Sequence, residues 1–257
     1  MVKVALRNQA RQGLFSYRST HIQLKRNYCT SEEPEEEAIE KTTYLRAYEA
    51  YCDLKTDEAL AALDEMDAQD PQYSLGLGLR GRIHTLKGEY NQAMHAFEKS
   101  LEVNDANALT YYYKATLHEI MKQPEEAMQC LMDCIDVDSE FSLARVDLAG
   151  LLVGRGDFQT AIEHCNYCLH SQPDMDQALY WKARALYKLG RLVDAKKIVA
   201  DYEKYADTYA VKLAALAAEI ELDLGQVDKA KQLFLNGLKE NKDQFPDEAL
   251  CKLAGIH

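Results

Sequence analysis

Proline, glycine and tryptophan are scarce in this chain of 257 residues. It contains 1 Trp, and its 5 Pro and 12 Gly are too few for a collagen-like chain or a disordered low-complexity body. No apolar run reaches the roughly 20 residues that a membrane-spanning helix needs. Apolar residues nevertheless make up 47% of the sequence, enough to bury a continuous core. We therefore expect a folded body built from regular secondary structure.

Acidic residues are absent from residues 1–31. This segment carries six basic residues, Lys3, Arg7, Arg11, Arg18, Lys25 and Arg26. On a helical wheel most of these bases share one arc, beside an arc of apolar residues. The segment resembles a mitochondrial presequence, and Arg26 to Ser31 resembles a matrix-processing site with cleavage near Tyr28 or Cys29. The alternative is an uncleaved basic tail.

The rest of the chain is acidic, with 24 basic and 42 acidic residues. Residues 32–39 are predicted to be an acidic linker. Because nucleic-acid phosphates require clustered Lys and Arg, this balance argues against a nucleic-acid partner. The Asp and Glu clusters are expected on solvated surfaces. No nucleophile elbow, phosphate loop or zinc-protease motif is present, so we predict no catalytic residue, no cofactor and no enzyme activity.

Small residues recur with a period of 34. One row, in which only the last step is 35, comprises Ala59, Ala93, Ala127, Ala161, Ala195 and Ala230. A second row comprises Ala47, Gly81, Ala115, Ala149, Ala183 and Ala218. A third row is apolar or cysteine and comprises Leu63, Phe97, Leu131, Cys165, Val199 and Phe234. Self-similarity at this period indicates an array of stacked units.

The pattern in each unit predicts two amphipathic helices joined by a short turn, as in residues 75–103. Small residues in both helices allow their backbones to cross closely. Gly88, Gly156, Gly190 and Gly225 stand where a first helix must end in a left-handed residue. The third unit has Lys122-Gln123-Pro124 instead, and Pro124 suits the start of its second helix.

These features resemble the tetratricopeptide repeat family, in particular Gly81, Tyr90, Ala93 and Phe97 in the second unit and Pro173 after the fourth. The resemblance covers residues 40–243 as six repeats, and residues 244–257 look like a terminal capping helix. It implies an all-α, right-handed superhelical solenoid. It also implies protein binding, with a stripe of each first helix lining a concave groove for a peptide or partner helix.

The repeat period places that stripe in this sequence. It collects aromatic and basic residues, the types that anchor interfaces: Tyr44, Tyr48, Tyr51, Arg82, Tyr112, Tyr113, Tyr180, Trp181, Arg184, Tyr187 and Lys188. The tyrosines could equally seal the packing between helices, whereas Arg184 and Lys188 are expected to be exposed. Family members that hold chaperone C-terminal tails use Lys and Asn on this stripe. The matching positions here are Tyr44, Tyr48, Leu79, Leu109 and Tyr113, so chaperone-tail binding is disfavoured.

Two further motifs have structural interpretations. Gly76-Leu77-Gly78-Leu79-Arg80-Gly81 matches a dinucleotide-binding fingerprint, but no strand is expected before it and Gly81 already belongs to the repeat. Four cysteines, Cys130, Cys134, Cys165 and Cys168, have spacings that zinc ligands also use. We interpret them as small buried core residues, with a zinc site as the alternative.

The sequence thus predicts a non-catalytic scaffold, adaptor, assembly factor or structural subunit of a mitochondrial complex. The location would be the matrix or the inner membrane. One alternative is a cytosolic or ciliary adaptor with an uncleaved basic tail. Another is an RNA-binding helical-repeat protein, which would need basic inner faces.

Overall fold

The computed structural model describes residues 42–202 and 210–240. These residues form twelve helices and no strand, which confirms the all-α prediction. They fall into two compact units, one ending at Val137 and the other beginning at Asp138.

The predictions for the two ends of the chain lie outside the described residues. They concern the presequence at 1–31, the acidic linker at 32–39 and the capping helix at 244–257.

The first unit contains three consecutive helix pairs. They are α1 (Thr43–Cys52) with α2 (Thr56–Asp64), α3 (Tyr73–Lys87) with α4 (Tyr90–Val103), and α5 (Ala108–Ile120) with α6 (Pro124–Val137). The two helices of each pair pack together, and the first helices α1, α3 and α5 contact one another in that order. The α3 and α4 bounds agree with the predicted helix pair, and Pro124 starts α6 as expected.

The second unit repeats the arrangement. Its pairs are α7 (Ser142–Arg155) with α8 (Phe158–Ser171), α9 (Asp176–Lys188) with α10 (Leu192–Tyr202), and α11 (Ala210–Asp223) with α12 (Val227–Glu240). Here α7 contacts α9, and α9 contacts α11.

The periodic small residues lie at the contacts between the two helices of each pair. All six alanines of the row from Ala59 to Ala230 have an exposed fraction of 0%, and every member of the row from Ala47 to Ala218 is buried. The larger apolar row from Leu63 to Phe234 is at most 5% exposed. The same residue types therefore recur in every repeat, because each helix pair packs through two small residues and one larger one.

Every first helix ends in the same left-handed turn. Gly88 has φ +80° and Gly156 has φ +92°, and in each case the next backbone N–H returns five residues, as in Glu89 to the carbonyl of His84 at 2.9 Å. This is the Schellman arrangement. Leu54 (φ +62°) and Lys122 (φ +58°) occupy the same repeat position without being glycine, so the repeat imposes the turn even on residues that it strains.

A buried polar cluster connects α3, α4 and α5. Ser74 Oγ donates to the carbonyl of Ser100 at 3.0 Å, and Ser100 Oγ lies 2.7 Å from Thr110 Oγ1. Asn107 Nδ2 donates to Ser74 Oγ at 2.8 Å. Because these buried groups satisfy one another, they fix how the second pair meets the third.

One sequence expectation is wrong for the second unit. The Asp and Glu clusters were expected on solvated surfaces, yet Glu219 and Glu221, two residues apart, are only 5% and 4% exposed. The Glu221 carboxylate lies 3.0 Å from Lys196 Nζ and 2.7 Å from Lys229 Nζ. Burial opposes its ionisation, but hydrogen bonds from the two lysines outweigh burial and lower the pKa of Glu221. A charge can be buried here because the neighbouring helices supply two opposite charges.

Candidate functional site

Three tyrosines follow one another along α1. Tyr44, Tyr48 and Tyr51 are spaced four and three residues apart, so they share one helix face. The ring centres of Tyr44 and Tyr48 are 6.0 Å apart, and those of Tyr48 and Tyr51 are 5.9 Å apart. Tyr44 and Tyr48 are 4% and 8% exposed, whereas Tyr51 is partly exposed.

Arg82 of α3 lies among these rings and those of α5. Its Nε donates to Tyr51 Oη at 3.3 Å, and its Cζ lies 5.6 Å from the ring centre of Tyr113, within the range of a cation–π contact. Tyr112 and Tyr113 have ring centres 6.3 Å apart. We call Tyr44, Tyr48, Tyr51, Arg82, Tyr112 and Tyr113 the Arg82 cluster. The structure thus joins all of the first unit's predicted groove residues.

The electrostatics of the Arg82 cluster are unusual. Burial opposes the charged form of Arg82, but the phenol oxygens of Tyr51, Tyr113 and Tyr112 outweigh it and leave the pKa of Arg82 above its ordinary value. Burial also raises the pKa of Tyr113 well above its ordinary value. At neutral pH the cluster therefore presents one guanidinium cation among neutral phenols.

The remaining predicted groove residues lie on α9 in the second unit. Tyr180 and Trp181 have ring centres 5.0 Å apart in an edge-to-face arrangement. Arg184 Nη1 lies 3.5 Å from Tyr180 Oη, and Lys188 Nζ lies 5.9 Å from the ring centre of Tyr187. These contacts join Tyr180, Trp181 and Arg184 in one group and Tyr187 with Lys188 in another.

Four of the predicted groove tyrosines pack between helices, which is the alternative that the sequence left open. Tyr44, Tyr48, Tyr113 and Tyr180 are all less than 10% exposed, so they mainly fill space between helices. Lys188 is exposed, as expected, and Arg184 is only partly exposed.

Two contacts of the α9 set did not emerge from the sequence. Trp181 packs against Gly150 of α7, where an added Cβ would lie 2.9 Å from Trp181 Cε2 and Cζ2. Tyr187 Oη donates to Asp223 at 2.7 Å. The signal for the first contact was present, since an isolated glycine inside a helical pattern often marks a close approach. Gly150 also stands two periods after Arg82, and Trp181 two periods after Tyr113.

The glycine fingerprint has no nucleotide-binding context. Gly76, Gly78 and Gly81 all lie inside α3, whereas the motif requires a strand and a loop before its helix. A Cβ at Gly78 would lie 2.5 Å from Thr110 Oγ1. These glycines therefore make room for neighbouring helices.

The four cysteines of the zinc alternative are buried. Burial raises the pKa of the Cys165 thiol to about 12 and that of Cys168 to about 11, so in the free protein both thiols are protonated at neutral pH. In the described part of the chain, no three His, Cys, Asp or Glu side chains are grouped so that they could hold a metal ion. The burial of the four side chains agrees with the interpretation as core residues.

The chain matches the family described as Tetratricopeptide repeat over residues 76–107, 108–141 and 152–220, together more than half of its length. It is 23% identical over 137 residues to the rat (Rattus norvegicus) mitochondrial import receptor subunit TOM70. That match covers 52% of this chain and 22% of the relative, so the chain spans about a fifth of the length of the curated relatives it matches.

Solved structures show the same fold. PilW, a type IV pilus biogenesis factor, superposes with a TM-score of 0.68 at 19% identity, covering 84% of this chain and 99% of PilW. YrrB, a TPR protein with an unusual peptide-binding site, superposes with a TM-score of 0.58 at 16% identity, covering 75% and 96% of the two chains. Among the described helices, none is long and apolar enough to cross a membrane.

Proposed function

The chain belongs to the tetratricopeptide repeat family, and on that premise we propose that it is a non-catalytic scaffold, adaptor, assembly factor or structural subunit of a mitochondrial complex. Proteins of this family generally mediate protein–protein interactions. In this proposal residues 40–243 form the repeat array, and a partner helix or extended peptide binds its tyrosine-rich first-helix faces.

The observation that carries the proposal is the composition of these faces. Tyr51, Arg82 and Tyr112 are each partly exposed, as are Trp181 and Tyr187 in the second unit. Aromatic and arginine side chains provide a large contact area with few rotatable bonds, and they dominate binding energy in protein interfaces. YrrB, which shares the fold, is a TPR protein with an unusual peptide-binding site.

The mitochondrial part of the proposal has two supports. Residues 1–31 contain six bases and no acid, the charge pattern of an import sequence. The similarity to TOM70 is to a mitochondrial protein. In this proposal the presequence is cleaved near Tyr28 or Cys29, and the remaining protein acts in the matrix or at the inner membrane.

One purification tests both parts. The full-length protein is purified from its native cells through a C-terminal tag, and mass spectrometry identifies its own N-terminus and the proteins that accompany it. We expect an N-terminus near Cys29 and stoichiometric mitochondrial companions. An intact Met1 with cytosolic companions would overturn the location and leave the scaffold role standing. Absence of any companion above the untagged control would overturn the scaffold role.

The binding face is tested in the same cells. Arg184→Gln with Lys188→Gln removes two cations from α9 and leaves Trp181 in place against Gly150. Loss of companions is expected from this double variant if α9 contributes to binding. A matched control is Arg191→Gln, because Arg191 already pairs with Asp194 at 2.7 Å.

A further inference from the structure

The guanidinium of Arg82 is an enclosed cation without a carboxylate partner in the described part of the chain. Its Nη1 is buried and has no hydrogen-bond acceptor there, while its Nε bonds only to the phenol of Tyr51. Arg80, two residues earlier on the same helix, instead pairs with Asp64 at 2.7 Å. Thus Arg80 has an acidic partner, whereas Arg82 has none in the described part of the chain.

The surrounding tyrosines cannot neutralise this charge. Burial raises the pKa of Tyr113 well above its ordinary value, so its phenol stays protonated at neutral pH. A ring face and a neutral hydroxyl attract a guanidinium, but a carboxylate bonded to both arms of its planar fork does so more strongly. A carboxylate would therefore stabilise this enclosed cation beyond what the rings and hydroxyls provide. The cluster therefore lacks one acceptor that bears a negative charge.

The chemistry of the missing group follows from its surroundings. One cation set among tyrosine rings matches one carboxylate flanked by apolar side chains. Arg82 as a whole residue is partly exposed, so a partner segment can contact it from the solvent side.

Building on the proposed function, we propose that Arg82 binds the carboxylate of an Asp or Glu side chain within the partner segment. The rings of the Arg82 cluster then pack against the apolar residues that flank this acid. The position of this acid would determine the register in which the segment binds, because only one residue of the segment can contact the guanidinium.

The test uses a phage library of random 12-residue peptides fused at their C-termini, so that any carboxylate they present belongs to a side chain. The full-length protein, Arg82→Gln and Arg80→Gln are panned in parallel. We expect one position rich in Asp or Glu with apolar neighbours for the wild type and for Arg80→Gln. That enrichment should vanish for Arg82→Gln.

Synthetic copies of a selected peptide give the magnitude. Replacing its acid by the matching amide should weaken binding to the wild type by roughly tenfold to hundredfold, and Arg82→Gln should bind both peptides equally. A thermal melt checks the fold of the free variant. Arg82→Gln should still melt cooperatively but below the wild type, because it loses the hydrogen bond to Tyr51 and the cation–π contact with Tyr113.

Several results would overturn the proposal. Peptides without an enriched acid, or equal binding by Arg82→Gln, would remove the carboxylate and leave a peptide-binding protein. A peptide that binds only with a free C-terminus, and not as its amide, would assign the site to chain termini. A tenfold gain when the five glutamates within residues 32–37 become glutamine would assign it to the chain's own acidic run. Failure to recover any peptide would contradict both this inference and the proposed function.

Discussion

Gly81 of α3 provides a sharp test of the packing argument. The corresponding position is alanine in the other five repeats, so Gly81→Ala looks harmless in sequence. In the structure, however, an added Cβ would lie 2.5 Å from Phe97 Cδ1 and 2.9 Å from Phe97 Cζ, and closer still to Cε1. Phe97 is 0% exposed, so its ring cannot turn out into solvent without losing its place in the core.

Two opposing effects set the magnitude. Alanine is a better helix former than glycine by about 1 kcal/mol, whereas overpacking a dense core costs about 1–3 kcal/mol. Three ring atoms are crowded at once, which places the cost near the upper end. Gly81→Ala should therefore lower the free energy of unfolding by about 1–2 kcal/mol.

A second substitution separates crowding from other causes. In the next repeat the corresponding pair is Ala115 with Leu131, both 1% exposed, so alanine is compatible with a smaller partner. Phe97→Leu alone should cost about 1 kcal/mol for the lost core volume. Gly81→Ala with Phe97→Leu should lie within about 1 kcal/mol of the wild type, which gives a favourable coupling energy of about 2 kcal/mol.

Chemical denaturation followed by far-ultraviolet circular dichroism gives the four free energies of this cycle. A stable Gly81→Ala, or additive effects of the two substitutions, would refute the idea that the size of Phe97 dictates the glycine.

Three further predictions concern the turns, the second unit and alkaline pH. Lys122→Gly should raise the free energy of unfolding by about 0.5–1 kcal/mol, because glycine tolerates the left-handed turn. Gly88→Ala should lower it by about 1 kcal/mol through backbone strain alone, since no atom lies within 4 Å of the new Cβ. Thermal melts of the two variants should therefore shift in opposite directions. Gly150→Ala should displace Trp181 and change the emission of the single tryptophan, a result contradicted by an unchanged spectrum. Because burial raises the pKa of Cys165 to about 12, above the ordinary value of a thiol, this group ionises first in the unfolded chain. Stability should fall between about pH 9 and pH 12, and denaturation of Cys165→Ala should show a smaller fall.

The helix pairs and the residues at which they pack were predictable from the sequence, because the same pattern of small and large residues recurs in six repeats. A small residue recurs at Ala93 and Ala127 since two backbones must approach there. The turn after Lys87 was equally predictable, because Gly88 supplies the left-handed residue. The strained turn at Leu54 carried no such signal in its own residue, and only its place in the period indicates it.

The contacts between repeats were less predictable. Periodicity placed Arg82, Tyr51 and Tyr113 on first helices, but it did not show that the guanidinium lies between their rings without an acid. The buried carboxylate of Glu221 was missed for a similar reason. Its partners Lys196 and Lys229 belong to different helices, and a local pattern of charges cannot distinguish a solvated acid from one paired across helices.

We propose that this chain works by binding a partner through the Arg82 cluster. The most direct test of this proposal is quantitative mass spectrometry of the proteins that co-purify with three full-length forms expressed at equal levels: the wild type, Arg82→Glu and Arg80→Glu. Both variants reverse one charge on α3, but only Arg82 lies in the cluster. The account predicts that Arg82→Glu loses the specific companions and that Arg80→Glu keeps them. Equal recovery of the same companions by all three forms would contradict it.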